Sequence, residues 1–135
     1  MQGRSDSIGR PRGLAPLREL LDAGVLVAAG GDNVRDPFNP LGRFDPFDVA
    51  GLTIAAGHLG ADEAYDTVSS SARALLGLPV AGAFVGAQAD FVLVPSSGVI
   101  EAISDAPHPR IVVHRGKVVA GMTSHRHEEP NENLH

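Results

Sequence analysis

The sequence contains no cysteine and no tryptophan, and aromatic residues make up only 4% of its 135 residues. Without cysteine the chain forms neither a disulfide nor a thiolate metal site. So few aromatic side chains argue against a surface that stacks nucleic-acid bases. The 11 Lys and Arg residues are outnumbered by 16 Asp and Glu residues, for a formal net charge of -5. This balance argues against a nucleic-acid partner, because a phosphate-backbone footprint needs clustered basic residues.

Long apolar runs are also absent. No stretch approaches the roughly 18 apolar residues that are needed to cross a membrane. The opening segment, MQGRSDSIGRPRG, lacks the apolar core of a signal peptide. We therefore expect a soluble, cytoplasmic protein without a membrane partner. Hydrophobic residues make up 43% and charged residues 20% of the chain, which is typical of a globular domain with a sizeable core.

Helix and strand signals divide the chain into three parts: 1–79, 80–121 and 122–135. Apolar spacing and terminal glycines predict the helices, and alternating or β-rich runs predict the strands. The predicted elements are a helix from Pro16 that stops at Gly24, a strand Val25–Ala29, helices Phe47–Leu59 and Asp62–Leu76, a strand Asp90–Val94, a helix Val99–Ser104, and a hairpin of Arg110–Val113 with Lys117–Ala120. The last part carries little apolar material and predicts a disordered tail.

The end of the predicted strand Val25–Ala29 is the main candidate for a functional site. The strand stops at two glycines, and Asp32 follows them. Active sites of parallel α/β sheets and barrels lie at the carboxyl ends of the strands, so Asp32 is a candidate catalytic or metal-binding group. The alternative is an aspartate that only forms a turn after the glycines. Asp36, which precedes a proline, is typical of a residue that shapes a loop.

Several motifs resemble the cytosine deaminase-like branch of the amidohydrolase superfamily. In that branch the last barrel strand ends in Gly-His-Asp or a variant, followed by an Asp-Pro-aromatic-x-Pro-Leu-Gly loop. The matching segments here are Gly30-Gly31-Asp32, the loop Asp36–Gly42, the opening Met1–Arg4, the helical Ser71–Leu75, the run Gly82–Leu93 and the closing Arg110–Ala120. Two positions depart from the pattern: Gly31 replaces the usual His, and Asn33 stands where a second acidic residue is common.

The resemblance implies an α/β fold, with 1–79 as the end of a (β/α)8 barrel and 80–121 as part of a small β-sandwich. The chain would then be the C-terminal part of a larger metal-dependent hydrolase that deaminates cytosine or a related small heterocycle. It implies Asp32 as metal ligand and proton carrier, and Asn33, Phe38 and Gln2 as substrate-binding residues. The intact parent would hold a divalent metal, Zn or Fe. The chain alone would bind none and would be inactive.

Two hypotheses in which the chain is not catalytic stay open. The predicted strand Val25–Ala29 has no predicted neighbour in a parallel sheet, and a parallel strand needs ladder partners. The chain could therefore be a truncated, non-catalytic remnant. It could also be an interaction module whose exposed strand edge pairs with another chain, for example in a homo-oligomer.

Overall fold

A computed structural model describes residues 13–121. Gln2, the opening Met1–Arg4 motif and the predicted tail 122–135 lie outside the described residues. The described elements are, in chain order, α1 (Leu17–Asp22), α2 (Pro46–Gly57), α3 (Ala61–Val68), α4 (Ser70–Leu75), β1 (Phe91–Leu93), α5 (Val99–Asp105), β2 (Ile111–His114) and β3 (Lys117–Ala120). No helix in the described part is long and apolar enough to cross a bilayer.

The helix α2 begins one residue before and ends two residues before the predicted helix Phe47–Leu59. The carboxylate of Asp45 accepts a hydrogen bond from the backbone N–H of Phe47 at 3.1 Å, and Pro46 occupies the first helical position. A side-chain oxygen at the N-cap satisfies an otherwise unpaired donor, and proline at this point loses no helical hydrogen bond. His58 ends the helix in the left-handed conformation, with φ of 56°. The predicted helix Phe47–Leu59 is thus confirmed to within two residues.

The predicted single helix Asp62–Leu76 is wrong in one respect, because it is broken at Ser69 into α3 and α4. Ser69 has φ of -126° and ψ of -97°, outside the helical region. Its hydroxyl donates to the carbonyl of Tyr65 at 2.6 Å, while Ser70 donates to the Asp66 carboxylate at 2.6 Å. Serine hydroxyls compete in this way with backbone hydrogen bonding inside helices.

The core lies where α2, α3 and α5 pack together. Phe47 is 5% exposed, and its ring centroid lies 6.3 Å from that of Tyr65. The other buried apolar side chains come from α1, the segment after it, the same three helices and the connection between α2 and α3: Leu17, Val27, Ala50, Leu59, Ala64, Ala102 and Ile103. Burial of this cluster fixes the helices against one another, since apolar area removed from water is the main stabilising contribution.

A three-stranded antiparallel sheet, in the order β1-β2-β3, forms the second half. Phe91 pairs with Val113 and Leu93 with Ile111, so the predicted contact between the Asp90–Val94 strand and the hairpin is confirmed. The hairpin turns at Arg115 and Gly116, with φ of 49° and 76°. Two left-handed residues are what a tight two-residue hairpin turn requires.

The carboxylate of Asp90 ties the sheet to α4. It accepts from the backbone N–H of Arg115 at 2.7 Å, which is the main reason that its pKa lies below the ordinary value. His114 Nδ1 lies 3.1 Å and Arg73 Nη1 lies 3.2 Å from the same carboxylate. One acidic side chain therefore joins the hairpin turn, the strand β2 and the helix α4.

The prediction of a strand over Val25–Ala29 is wrong for the described part of the chain, where the segment belongs to no sheet. Its backbone bonds are those of Val25 N–H to Leu20 O and of Ala29 N–H to Thr67 O, each at 2.9 Å. Val27 is buried, whereas Val25 and Leu26 are nearly half exposed. The physical reason is that a strand is defined by its ladder, and residues 13–121 offer this segment no partner strand.

Candidate functional site

The candidate carboxylate Asp32 lies just beyond the unpaired segment, after Gly30 and Gly31, and its side chain is exposed. Its place at the end of an extended apolar segment is the one that the sequence predicts. An exposed carboxylate has oxygen atoms that can accept a hydrogen bond or ligate a metal.

The loop that follows Asp32 is organised by Asp36. Asp36 Oδ1 accepts from the backbone N–H groups of Phe38 at 3.0 Å and Asn39 at 2.9 Å, and its other carboxylate oxygen accepts from the side-chain amide of Asn33. The amide of Asn39 in turn donates to the carbonyl of Asn33 at 3.1 Å. Asp36 therefore shapes the loop, as the Asp-Pro pair predicts.

These hydrogen bonds also explain the acidity of Asp36. Partial desolvation acts to raise its pKa, but the donors on Asn39, Asn33 and Phe38 outweigh that effect and hold the pKa below the ordinary value. Hydrogen bonds to the ionised form favour that form. At neutral pH the loop therefore contains a fixed negative charge four residues after Asp32.

Gly42 closes the loop by close backbone contact. Its N–H donates to the carbonyl of Asn39 at 3.0 Å. A Cβ at this position would lie 2.4 Å from the carbonyl oxygen of Asn33 and 2.7 Å from Nδ2 of Asn39. Only glycine fits without displacing the backbone, so the last residue of the Asp-Pro-Phe-Asn-Pro-Leu-Gly motif has a steric role.

The predicted substrate-binding residues are distributed unevenly. The amide of Asn33 points into the loop toward Asp36, so part of its hydrogen-bonding capacity supports structure. Phe38 is 75% exposed and packs against no described core residue. Gln2 lies outside the described residues. The structure thus brings Asn33 and Phe38 onto one loop next to Asp32.

A mainly apolar cleft of about 190 Å³ lies beside this loop. Its lining comes from Ala29, Gly30 and Gly31, from 43–46, and from Val34, Val49 and Val68. The volume is below the roughly 300–1,000 Å³ of ordinary small-molecule sites. Arg43 and Asp45 are the charged residues among those that line it.

A metal site needs several His, Cys, Asp or Glu side chains close together, and residues 13–121 supply too few of them. Within 13–121 no group of three or more His, Cys, Asp or Glu side chains lies close enough together to hold a metal ion. A catalytic zinc site uses about three protein ligands. Asp32 fits the part of one carboxylate ligand, and the described part of the chain does not supply the others.

Sequence reasoning missed the ion pair that borders the cleft. Arg110 donates to both carboxylate oxygens of Asp45, at 2.9 and 2.8 Å, although the two residues are 65 positions apart. These hydrogen bonds from Arg110 are the main cause of the lowered pKa of Asp45. Neither residue belongs to a motif that signals such a pair. The only local signal was Asp45 before Pro46, which predicts a helix cap.

Comparison with known proteins identifies the family. A profile described as "Amidohydrolase family" matches residues 1–120. The chain belongs to the amidohydrolase family. This confirms the resemblance that the motifs after Val25–Ala29 predicted, although it leaves the role of each site residue open.

Individual relatives of this family member are deaminases and related aminohydrolases. A pterin deaminase of Rhizobium rhizogenes (strain K84 / ATCC BAA-868) is 38% identical over 113 residues, which cover 82% of this chain and 26% of the relative. The crystal structure of 5-methylcytosine deaminase from Klebsiella pneumoniae, liganded with 5-fluorocytosine, has a TM-score of 0.74 and 28% identity, covering 96% of this chain and 33% of that chain. N-isopropylammelide isopropylaminohydrolase from Burkholderia multivorans ATCC 17616 has a TM-score of 0.72 and 32% identity, covering 84% and 30%.

The chain thus spans about a quarter to a third of the length of these relatives. The similarity to solved amidohydrolases supports the α/β class of the fold.

Proposed function

We propose that this amidohydrolase chain is the C-terminal part of a metal-dependent enzyme that deaminates a small nitrogen heterocycle, such as cytosine or a pterin. The observation that carries the proposal is the Gly30-Gly31-Asp32 turn joined to a loop that Asp36 holds in place. It lies within a chain that is 38% identical to a pterin deaminase over 113 residues. Residues 1–79 would complete a barrel, 80–121 would belong to a small β-sandwich, and the location would be the cytoplasm.

In this proposal Asp32 is both a metal ligand and a proton carrier. A divalent metal, Zn or Fe, supplies when bound the acidity that makes water nucleophilic near neutral pH. The water oxygen adds to the ring carbon that bears the exocyclic amine. A carboxylate oxygen of Asp32 would accept one proton of that water and return it to the departing nitrogen, which leaves as ammonia. The second proton of the water ends on the adjacent ring nitrogen as the ring carbon becomes a carbonyl.

The adjacent loop would form part of the wall around the ring. The side-chain amide nitrogen of Asn33 donates to Asp36, which leaves the side-chain oxygen Oδ1 of Asn33 as the atom that would accept a ring N–H. Phe38 would cover the ring face with its exposed side chain. Gln2 would reach the rim, as the resemblance of Met1–Arg4 implies.

The test is ammonia release from cytosine and from pterin by the parent enzyme that contains these residues. Asp32→Asn should lower the rate by at least about a hundredfold, since positioned acid–base groups contribute roughly 10²–10⁴-fold. Asp62→Asn, an exposed aspartate in the first turn of α3, is the matched control and should leave the rate unchanged. Equal rates for the two variants would refute the role of Asp32.

A separate measurement tests whether this chain suffices for the metal. We expect calorimetry of the 135-residue chain with zinc to show no tight one-to-one binding at Asp32. The reason is that Asp32 offers one ligand where catalytic sites use about three. Tight binding that Asp32→Ala abolishes would overturn this expectation.

Exposed apolar side chains favour one second candidate, an interaction module that assembles with itself. Val25 and Leu26 are nearly half exposed, and Phe44 is 95% exposed. Unpaired backbone beside exposed apolar side chains favours pairing with another chain. Sedimentation of the chain would show a concentration-dependent oligomer if this candidate is right, and a monomer at all concentrations would exclude it.

A further inference from the structure

An ion pair from the sheet half of the chain reaches the wall of the cleft beside the candidate site. Arg110 Nη1 and Nη2 donate to the two carboxylate oxygens of Asp45, and the two side chains are only 15% and 12% exposed. A bidentate arginine–carboxylate pair fixes the orientation of the carboxylate as well as its charge. The position of Asp45 is therefore set by a residue outside the loop and outside α2.

Arg110 is itself held from two further directions. Its Nε donates to the carbonyl of Pro107 at 2.9 Å, and its guanidinium carbon lies 4.5 Å from the centroid of the Phe47 ring. A planar guanidinium can satisfy the two-pronged contact, the carbonyl and the ring at once, whereas a lysine ammonium cannot. Arg110, the residue before β2, thus connects the segment that leads into β2 with the first turn of the core helix α2.

Asp45 passes this constraint to the cleft. Its carboxylate caps α2 through the N–H of Phe47, and Asp45 and Pro46 line the same cleft as Gly30 and Gly31. If Arg110 moves, the first turn of α2 and the part of the cleft formed by Asp45 and Pro46 both lose the contact that holds them in position. A change at Arg110 should therefore also alter the surroundings of Gly30 and Gly31, which line the same cleft and precede Asp32.

Arg43, two residues before Asp45, is the neighbouring cation. Its Nε donates to the carboxylate of Asp48 at 2.6 Å, and its positive charge also acts on Asp45. Without Arg110, the carboxylate of Asp45, which is only 12% exposed, would keep Arg43 as the other cation that acts on it. Because an unpaired buried charge is costly, the Arg43 side chain should then move from Asp48 toward Asp45. The segment 43–46, which lines the cleft, should move with it.

We propose that Arg110 is a positioning residue that sets the geometry of the cleft between Gly30–Gly31 and Asp45–Pro46. It acts through Asp45 and touches neither the candidate carboxylate Asp32 nor its loop. The inference rests on the proposed function only in treating the cleft as part of the ligand site. The coupling between Arg110 and the cleft wall can be tested without any catalysis.

The experiment compares Arg110→Lys with Arg18→Lys in the isotope-labelled full chain by NMR. Arg18 is the matched control, because it makes a comparable bidentate pair with Glu63, at 2.9 and 2.7 Å, but its partner Glu63, unlike Asp45, does not line this cleft. We expect Arg110→Lys to shift the backbone amide signals of Gly30, Gly31 and Val34 and the Nε–H signal of Arg43. Arg18→Lys should leave these four signals in place.

The Arg43 signal separates positioning from a general loss of stability, since it reports a change of partner. Denaturation midpoints of both variants show whether the comparison is made at equal stability. Shifts that stop at Asp45 and β2, with the four signals unmoved in Arg110→Lys, would overturn the proposal. Equal shifts in both variants would also overturn it, because the effect would then not be specific to Arg110.

A second arm uses 5-fluorocytosine, the ligand of the similar deaminase structure, observed by fluorine NMR in the parent enzyme that contains these residues. Arg110→Lys should bind it about tenfold more weakly than the unaltered parent, since small misplacements of positioning residues have effects of this order or larger. Equal affinity in Arg110→Lys would count against the proposal. Absence of binding by the unaltered parent would count against the proposed function, while the amide signals of the full chain would still decide the role of Arg110.

Discussion

Gly42→Ala should open the loop that follows the candidate carboxylate. The added Cβ would lie 2.4 Å from the Asn33 carbonyl oxygen and 2.7 Å from Nδ2 of Asn39. Ordinary carbon–oxygen contacts lie at about 3.3–3.6 Å, so the backbone has to move by about 1 Å. Such a shift would break the bond from the Gly42 N–H to the Asn39 carbonyl and the bond from the Asn39 amide to the Asn33 carbonyl.

The size of the effect follows from two opposing contributions. Overpacking a closely packed site costs about 1–3 kcal/mol. Gly42 is not among the residues with positive φ, so alanine suits its backbone and gains about 0.4–1 kcal/mol from the less flexible unfolded chain. The net loss should be about 1–2 kcal/mol, or roughly a five- to thirtyfold rise in the open population.

Hydrogen exchange at the amide of residue 42 measures this opening, and chemical denaturation measures whether the whole chain is affected. Gly13→Ala is the control, because no atom lies within 4 Å of its added Cβ and its φ is ordinary. Exchange at residue 42 should quicken in Gly42→Ala alone. Identical exchange and denaturation in the two variants would refute the steric reasoning.

Three further predictions concern charge and packing. Hydrogen bonds from Arg110 lower the pKa of Asp45, so its contribution to stability should be complete above the unfolded value of about 3.9 and be lost as the pH falls through the folded value. The unfolding free energy of Asp45→Asn should therefore vary less below pH ~4 than that of the unaltered chain. Phe47→Ala should cost about 3–5 kcal/mol in denaturant titration, since the ring is buried at 5% exposure. Asn33→Asp should place a second carboxylate against Asp36, speed amide exchange in the loop at neutral pH and recover on acidification.

The expected opening of the loop in Asn33→Asp affects how Asn33 should be tested as a determinant of substrate choice. From the sequence, Asn33→Asp exchanges a donor and acceptor for an acceptor alone, and the effect should fall on the substrate. In the structure the same change also removes the donor that Asp36 uses. A loss of activity on every substrate would then reflect an opened loop. Substrate choice is therefore better tested by a variant that keeps the side-chain amide, such as Asn33→Gln.

Local signals predicted the elements that depend on neighbouring residues. The predicted helix Phe47–Leu59 and the predicted hairpin of Arg110–Val113 with Lys117–Ala120 depend on signals within a few positions, and both are present, as α2 and as β2 with β3. Sequence periodicity predicted a continuous helix through Ser69, because spacing of apolar residues carries no information about a hydroxyl that bonds to the preceding turn. Exact helix ends and interruptions depend on such side-chain choices.

Features that join distant parts of the chain were not predictable in this way. The expected strand Val25–Ala29 has the composition of a buried strand, but strand formation needs a partner that residues 13–121 do not provide. The pair of Arg110 with Asp45 joins positions 65 apart, and no spacing rule relates them. The sequence therefore predicted where the candidate site lies, while the structure revealed the Arg110–Asp45 pair that borders the cleft beside it.

The two halves of the candidate site are ordered by different forces. The loop from Asn33 to Gly42 is held by bonds among its own residues, chiefly through Asp36, so its shape depends little on the rest of a larger protein. Asp32 instead follows the segment Val25–Ala29, whose backbone makes two bonds at its ends within the described residues. A backbone without ladder partners permits larger local fluctuations. The loop wall is thus preformed, whereas the position of the carboxylate depends on what pairs with the segment before it.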